Sequence, residues 1–148
     1  HVRLSYRPRV IQAIDILFRK KEYNHPSSML SFVTSFVLVF AVFDHDIAFA
    51  ASMMMIVGDS FSAAFGMLFG TTKIRGSKTF VGTFSGLAAN LIVGYFALNG
   101  EFLIFVPMAL TATIVEMFTN KLDDNLTVPV ATAFVGQMLL ILLKITVL

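Results

Sequence analysis

Long apolar stretches separated by short polar connectors dominate this chain after residue 28. Most are close to the roughly 20 residues that a helix needs to cross a bilayer. Because backbone polar groups inside lipid must be hydrogen bonded within the segment, these stretches are expected to be helical. The pattern predicts an all-α integral membrane protein, a compact bundle of about five transmembrane helices. The predicted spans are Met29 to Phe43, Ile47 to Phe69, Phe80 to Leu98, Phe102 to Phe118 and Val128 to Leu148.

The segment before these spans has a different pattern. From Val10 to Tyr23, apolar residues recur near helical spacing, while the cations Arg19 to Lys21 lie elsewhere. This predicts an amphipathic interfacial helix, anchored by its cations to anionic headgroups. We therefore expect a basic N-terminal segment, residues 1–28, and a transmembrane domain, residues 29–148. No signal peptide is recognised, and whether residues precede His1 stays open.

Composition narrows the class of protein. With 57% hydrophobic and 14% charged residues, the chain of 148 residues is too apolar for an ordinary soluble domain. It has no cysteine, which excludes disulfides and thiolate metal sites. The basic residues lie beside the spans, so anionic lipid explains them and no nucleic-acid partner is expected. The oligomeric state is left open.

The distribution of Lys and Arg predicts an orientation. These residues concentrate before the first span and in the connectors 71–79 and 119–127, whereas 44–46 and 99–101 contain none. The basic connectors are therefore expected to face the cytosol.

Asp59 is the most informative residue, because a carboxylate within a span is costly and is retained mainly where it faces a cavity, an ion or a partner. In an unbroken helix it would lie roughly 16 Å from Gly70, at the start of the next connector. We therefore expect either a helix break at Gly58 or a wet cleft between the spans.

The connector from Thr71 to Thr79 contains the groups that bind polyphosphate: cations, hydroxyls and a glycine that lets backbone amides turn toward oxygen. These cations and hydroxyls are Lys73, Arg75, Ser77, Lys78 and Thr79. From Gly70 onward the segment resembles a Walker A loop, but five residues separate its glycines and it joins membrane helices. Taken alone, it would be an ordinary basic connector.

A second acidic group follows downstream. Glu116 lies near the predicted cytosolic end of the fourth span, and Asp123 to Asn125 occupy a predicted turn before Pro129 starts the fifth. Carboxylate oxygens there suit Mg²⁺, which takes a few carboxylates together with phosphate oxygens. The alternative is a solvated turn with an Asx cap.

Other polar and small residues are assigned to packing or to the opposite face. Gly86 and Gly94 allow helices to approach closely, while Asn90 and Gln137 are predicted to form interhelical hydrogen bonds. The remaining acids, Asp44, Asp46 and Glu101, fall on the face opposite the basic connectors.

Together these residues resemble the polyprenol kinase family, which includes dolichol kinase, phytol kinase and the CTP-dependent diacylglycerol kinase and is related to phosphatidate cytidylyltransferases. The matching motifs lie between Ile47 and Gly136: Gly58-Asp59, Gly66, Phe69-Gly70, Lys78-Thr79 with Gly82, and Glu116 followed by Asp-Asp-Asn-Leu-Thr-Val-Pro from Asp123. That last run most resembles the phytol kinase branch. Val81 stands where many relatives carry glutamate, and phytol kinase-like members also tend to lack that glutamate.

The resemblance implies CTP as phosphoryl donor and a long-chain isoprenoid or diacylglycerol-type alcohol as the membrane acceptor. Phosphoryl transfer depends mainly on positioning and on neutralising charge. We expect Asp59 and Asp124 to hold Mg²⁺, Lys78 to act in catalysis, and Glu116 or Asp123 to act as base. The nucleotide-binding set is expected to be Lys73, Arg75, Ser77, Lys78, Thr79, Gly82 and Asn125.

Two alternatives remain open at this point. In a cytidylyltransferase, a lipid phosphate would attack the α-phosphorus of CTP and release pyrophosphate, with no need for a base. In a small transporter or channel subunit, Asp59 and Asn90 would line a pathway.

Overall fold

A computed structural model describes residues 28–147 of the chain except positions 77 and 120. This part folds into five helices and a short hairpin. The helices are α1 (Ser28–Val42), α2 (His45–Phe69), α3 (Phe80–Ala97), α4 (Phe102–Phe118) and α5 (Lys121–Val147). The interfacial helix predicted for residues 10–23 lies outside the described residues.

Three of these helices are long and apolar enough to cross a membrane, namely those over His45–Phe69, Phe80–Ala97 and Asp124–Ile145. The helices over Met29–Val42 and Phe102–Phe118 are apolar but shorter. Many large apolar side chains point outward, among them Phe84 and Phe96. Such an outer surface suits contact with lipid chains.

Helix α2 is the centre of the bundle and packs against each of the other four helices. Its first half supplies much of the core, where Ala51 and Met54 belong to the same buried cluster as Met108 of α4 and Ala133 of α5. All the buried residues of α2 lie between Ile47 and Gly58. The second half, from Asp59 onward, is therefore packed much less completely.

Small residues let α2 and α3 approach closely. A Cβ atom on Gly82 would lie 2.6 Å from the Ser62 carbonyl oxygen, and one on Gly86 would lie 3.2 Å from the Gly58 oxygen. Gly94 has the same role against α4, because its Cβ would lie 2.7 Å from Cβ of Phe105. The packing assignments of Gly86 and Gly94 are confirmed.

The predicted hydrogen bonds between helices are also present. Asn90 of α3 donates from Nδ2 to Oγ1 of Thr113 on α4 at 3.2 Å. Gln137 of α5 donates from Nε2 to Oδ2 of Asp44 at 2.8 Å, and the Asp44 amide donates back to Gln137 Oε1 at 2.9 Å. Both residues thus join separate segments of the bundle.

Two local predictions need correction. Helix α2 runs through Gly58 without a break, so the predicted helix break at Gly58, one of the two ways in which Asp59 could be exposed, is wrong.

Helix α5 begins at Lys121, and Pro129 lies inside it. Proline suits a helix start because it lacks an N–H group, but here the preceding residues already form helix, and acids are favourable in such a first turn. The acids 123–124 are therefore helical and do not form a turn.

The connector between α2 and α3 is an antiparallel hairpin of β1 (Lys73–Arg75) and β2 (Lys78–Thr79). Its turn contains Gly76 with φ of 57°, a left-handed conformation that favours glycine. The hairpin ends directly at α3, where the Thr79 hydroxyl accepts from the Gly82 amide at 3.2 Å and caps the helix. This geometry fixes Lys78 at the entrance to α3.

Candidate active site

A polar cavity of about 440 Å³ lies at the end of the bundle where α2 and α4 finish and α3 and α5 begin. Its walls come from the three helices α2, α4 and α5 and from the hairpin. It is lined by Asp59, Ser62, Ala63, Gly66, Met67, Lys78, Thr79, Glu116, Asp124 and Asn125. The cavity exposes Asp59 although α2 is unbroken, which agrees with the wet-cleft prediction. It also brings together Asp59, Lys78 and Glu116.

Lys78 is at the centre of the charged cluster. Its Nζ lies 3.7 Å from Oε1 of Glu116 and 3.5 Å from Oδ2 of Asp124, and it also donates to the Glu116 carbonyl oxygen. Both acidic residues are buried, with 8% and 7% of their surface exposed. Burial weakens screening by water, so this lysine holds the ends of α4 and α5 against the hairpin through strong charge interactions.

The lining of the cavity is acidic overall. Asp59, Glu116 and Asp124 contribute three carboxylates against the single ammonium of Lys78, which gives the described lining a formal charge of −2. Asp59 has no basic side chain within ion-pair distance in the described part of the chain. A polyphosphate would be repelled by this lining unless a cation entered with it.

The carboxylates offer oxygens to such a cation. Oδ1 of Asp124 is buried and makes no hydrogen bond to the described residues. Among those residues, no three acidic or histidine side chains approach closely enough to form a metal site alone. A cation held by Asp59 and Asp124 would therefore complete its shell with ligand oxygens and water, as Mg²⁺ commonly does.

The three hairpin cations differ in position. The Arg75 side chain donates from Nη1 to the Phe118 carbonyl oxygen at 3.1 Å, and its guanidinium carbon lies 6.0 Å from the centre of the Phe118 ring. It thus satisfies a free carbonyl at the C-terminus of α4, where a positive charge is favourable. Lys73 is exposed and does not line the cavity. Arg75 is exposed, but its side chain is held against the end of α4.

The remaining predicted residues are distributed as follows. Thr79 and Asn125 line the cavity, and Thr79 also caps α3. Gly82 packs against α2 and is not part of the lining. The side chain of Asp123 and the whole of Ser77 lie outside the described residues, so their predicted roles stay predictions.

The prediction did not include three lining residues of α2: Ser62, Ala63 and Met67. Ala63 and Met67 follow Asp59 by four and eight residues and so share its face of the helix. Their spacing from Asp59 could have identified them as lining residues. Their identity could not, because small and apolar residues are common in membrane spans.

A second polar cavity, also of about 440 Å³, lies at the opposite end of the bundle. Its lining includes the acids Asp44, Asp46 and Glu101 together with Lys144. All three acids are exposed, and no ion pair joins them to Lys144 among the described residues.

Comparison with known proteins gives two partial similarities. A protein of Triticum aestivum named probable phytol kinase, chloroplastic, is 33% identical over 129 residues, covering 74% of this chain and 43% of that protein. An uncharacterized protein of Rickettsia prowazekii (strain Madrid E) is 24% identical over 141 residues, covering 88% of this chain and 69% of that protein. No protein-family model and no solved structure matches the chain. The chain spans less than half of the Triticum protein, and the similarity supports a polyprenol kinase-like relationship at most.

Proposed function

We propose that this chain is the catalytic part of a membrane-embedded lipid kinase. It would transfer the γ-phosphoryl group of CTP to the hydroxyl of an isoprenoid or diacylglycerol-type alcohol, with its cavity facing the cytosol. The observation that carries the proposal is the cavity itself, where Lys78 lies between buried carboxylates and Asp59 is exposed nearby. The partial similarity to a probable phytol kinase supports the same reaction class.

The charge of the cavity favours a metal-dependent reaction. Asp59 and Asp124 would hold Mg²⁺, and the orphaned Oδ1 of Asp124 fits that role. When bound, Mg²⁺ would neutralise phosphate charge and help to orient the γ-phosphoryl group. Lys78, already within the acidic cluster, would bind a phosphate oxygen and oppose the negative charge that develops during transfer.

The transfer itself needs one bond made, one broken and one proton moved. The alcohol oxygen attacks the γ-phosphorus, the bond from that phosphorus to the β,γ-bridging oxygen breaks, and CDP leaves with the electron pair. The hydroxyl proton passes to a carboxylate. Glu116 lines the cavity and is our choice for this base. The products are CDP and a lipid phosphate.

Product analysis tests the proposal. The purified protein in lipid nanodiscs is incubated with Mg²⁺, geranylgeraniol and CTP labelled at the γ-phosphate, with ATP compared in parallel. A kinase places the label in the lipid. Label recovered in pyrophosphate, from reactions supplied with a lipid phosphate, would replace the kinase with a cytidylyltransferase. If the protein bound no nucleotide, both the kinase and the cytidylyltransferase would be excluded.

A further inference from the structure

The wall that α2 contributes to the cavity is also part of the outer surface of the bundle. Beyond Gly58, none of the residues of α2 is buried. Ser62 and Gly66 line the cavity and also pack against α3. Ala63 and Met67 line the cavity and are exposed, and Met67 has 82% of its surface accessible. The cavity therefore reaches the exterior along this face of α2.

The residues on this face change in character along the helix. Asp59, Ala63 and Met67 follow one another at intervals of one turn, about 6 Å each. The first is an acid, the second has the smallest side chain that a chiral residue can carry, and the third is flexible and apolar. Since α2 is apolar and long enough to cross a membrane, the exterior at this face is expected to be lipid.

We propose that the face of α2 formed by Asp59, Ala63 and Met67 is a side entrance for the acceptor, an alcohol with a long hydrocarbon chain. The hydroxyl end lies at Asp59, the chain passes over the small side chain of Ala63, and it leaves past Met67 into the bilayer. The inference rests on the proposed function for the identity of the acceptor, and makes Ala63 a specificity-determining residue. A hydrophobic alcohol thus reaches the polar cavity without leaving the lipid.

An apolar groove elsewhere on the bundle is a weaker candidate for binding the hydrocarbon chain of the acceptor. A groove of about 480 Å³ between α1 and α5 is lined by Leu38, Phe43, Leu126, Thr127, Val130, Ala131 and Phe134. It shares no lining residue with the polar cavity. Asp59 does not line this groove, whereas a hydrocarbon chain over Ala63 lies in the same cavity as the acid.

Photolabelling locates the hydrocarbon chain of the alcohol without requiring phosphoryl transfer. A geranylgeraniol analogue carrying a diazirine on its chain is irradiated with the full protein in phosphatidylcholine nanodiscs, and the labelled peptides are mapped. We expect label around Ala63 and Met67, competed by unlabelled geranylgeraniol and strongly reduced in Ala63→Phe. Ala88→Phe is the matched control, because Ala88 of α3 is exposed outside the cavity. Competed label in the groove between α1 and α5 instead, or label that no alcohol competes, would overturn the entrance.

Kinetics then separate the entrance from the reaction. In Ala63→Phe, the KM for geranylgeraniol should rise by about tenfold or more while Mg²⁺-CTP binding stays within about twofold. An unchanged KM, or an equal loss of nucleotide binding, overturns the entrance and leaves the kinase proposal standing. If the wild type transfers no phosphoryl group yet shows competed label at Ala63, the kinase fails and the lipid site stands.

Discussion

The two ends of the bundle carry cavities of similar volume and similar charged groups, but those groups are held differently. Each lining contains three carboxylates and one lysine. At one end, Lys78 lies within 4 Å of two buried acids. At the other, the acids are exposed, and Lys144 makes no ion pair with them in the described part of the chain.

The difference supports placing the proposed chemistry at the end that contains Lys78. Exposed charges are screened by water and contribute little to binding or stability. Buried charges cost free energy, so a cluster of them needs compensating partners or a ligand. Only the cavity at Lys78 combines buried acids, a shared cation and an orphaned carboxylate oxygen among the described residues. Burial and pairing, and not the number of charges, distinguish the two ends.

The largest expected effect follows from removing the charge of Asp59. Asp59→Asn should abolish phosphoryl transfer, because a carboxylate that holds a metal ion against phosphate stabilises the transition state by several kcal/mol. The variant should still fold, since neutralising an acid within a span does not destabilise it. Transfer of labelled γ-phosphate and thermal unfolding in detergent measure the two effects.

Asp44→Asn is the matched control for Asp59→Asn. It makes the same chemical change at the opposite end, where Asp44 is exposed, and should leave the transfer rate unchanged. If both variants were inactive, or both active, the functional distinction between the two ends would be lost.

The next effect concerns Lys78. Lys78→Ala should lower kcat by two or more orders of magnitude, about 3 kcal/mol of transition-state stabilisation. It also leaves Glu116 and Asp124 buried without their shared cation, so the protein should lose stability. Adding Glu116→Gln should restore part of the stability but none of the activity.

Lys73→Ala tests whether position or mere charge explains the effect of Lys78. Lys73 is exposed and does not line the cavity, so its removal should mainly raise KM for the nucleotide. Steady-state kinetics with Mg²⁺ and CTP varied separately give both parameters. If Lys73→Ala and Lys78→Ala raised KM by the same factor and left kcat unchanged, the catalytic role proposed for Lys78 would be wrong.

Much of this arrangement follows from the sequence, because charge in an apolar chain is a strong signal. Asp59 had to face a cavity, and the small residues at Gly82 and Gly86 specified how closely α2 and α3 pack. The end of the bundle at which Lys78 and Glu116 meet follows from the alternation of helices. The cavity and the end of the bundle where it lies were therefore predictable in outline.

The remaining features depend on contacts that no local pattern specifies. Pro129 suggested a helix start, but residues 121–128 already form helix. The Arg75 side chain reaches the Phe118 carbonyl oxygen across 43 positions of sequence, and a lone basic residue in a connector does not reveal its partner. Ala63 is important through the space that it leaves open, and an alanine in an apolar span gives no sign of that.

A smaller effect is expected at Arg75, which supports the site from outside the cavity. Arg75→Ala removes the hydrogen bond to the end of α4 and should loosen the hairpin, raising KM for the nucleotide about fivefold with little change in kcat. Hydrogen exchange at residues 73–79 should become faster. Arg75→Lys keeps the charge but loses the planar fork, so an intermediate result is expected. Unchanged hydrogen exchange in Arg75→Ala would contradict a positioning role.

The smallest effect is expected at the opposite end, where polar groups join helices without forming a reactive cluster. Gln137 accepts from the Asp44 amide and donates to its carboxylate, and so connects α5 to the start of α2. Because this pair is exposed, water replaces most of what Gln137→Ala removes, and the free energy of unfolding should fall by only about 1 kcal/mol. Phosphoryl transfer should stay at the wild-type rate, since Asp59 and Lys78 are untouched. Thermal unfolding and the transfer assay on the same sample measure both quantities. If phosphoryl transfer fell by more than the loss of stability explains, the end of the bundle that contains Asp44 would take part in function.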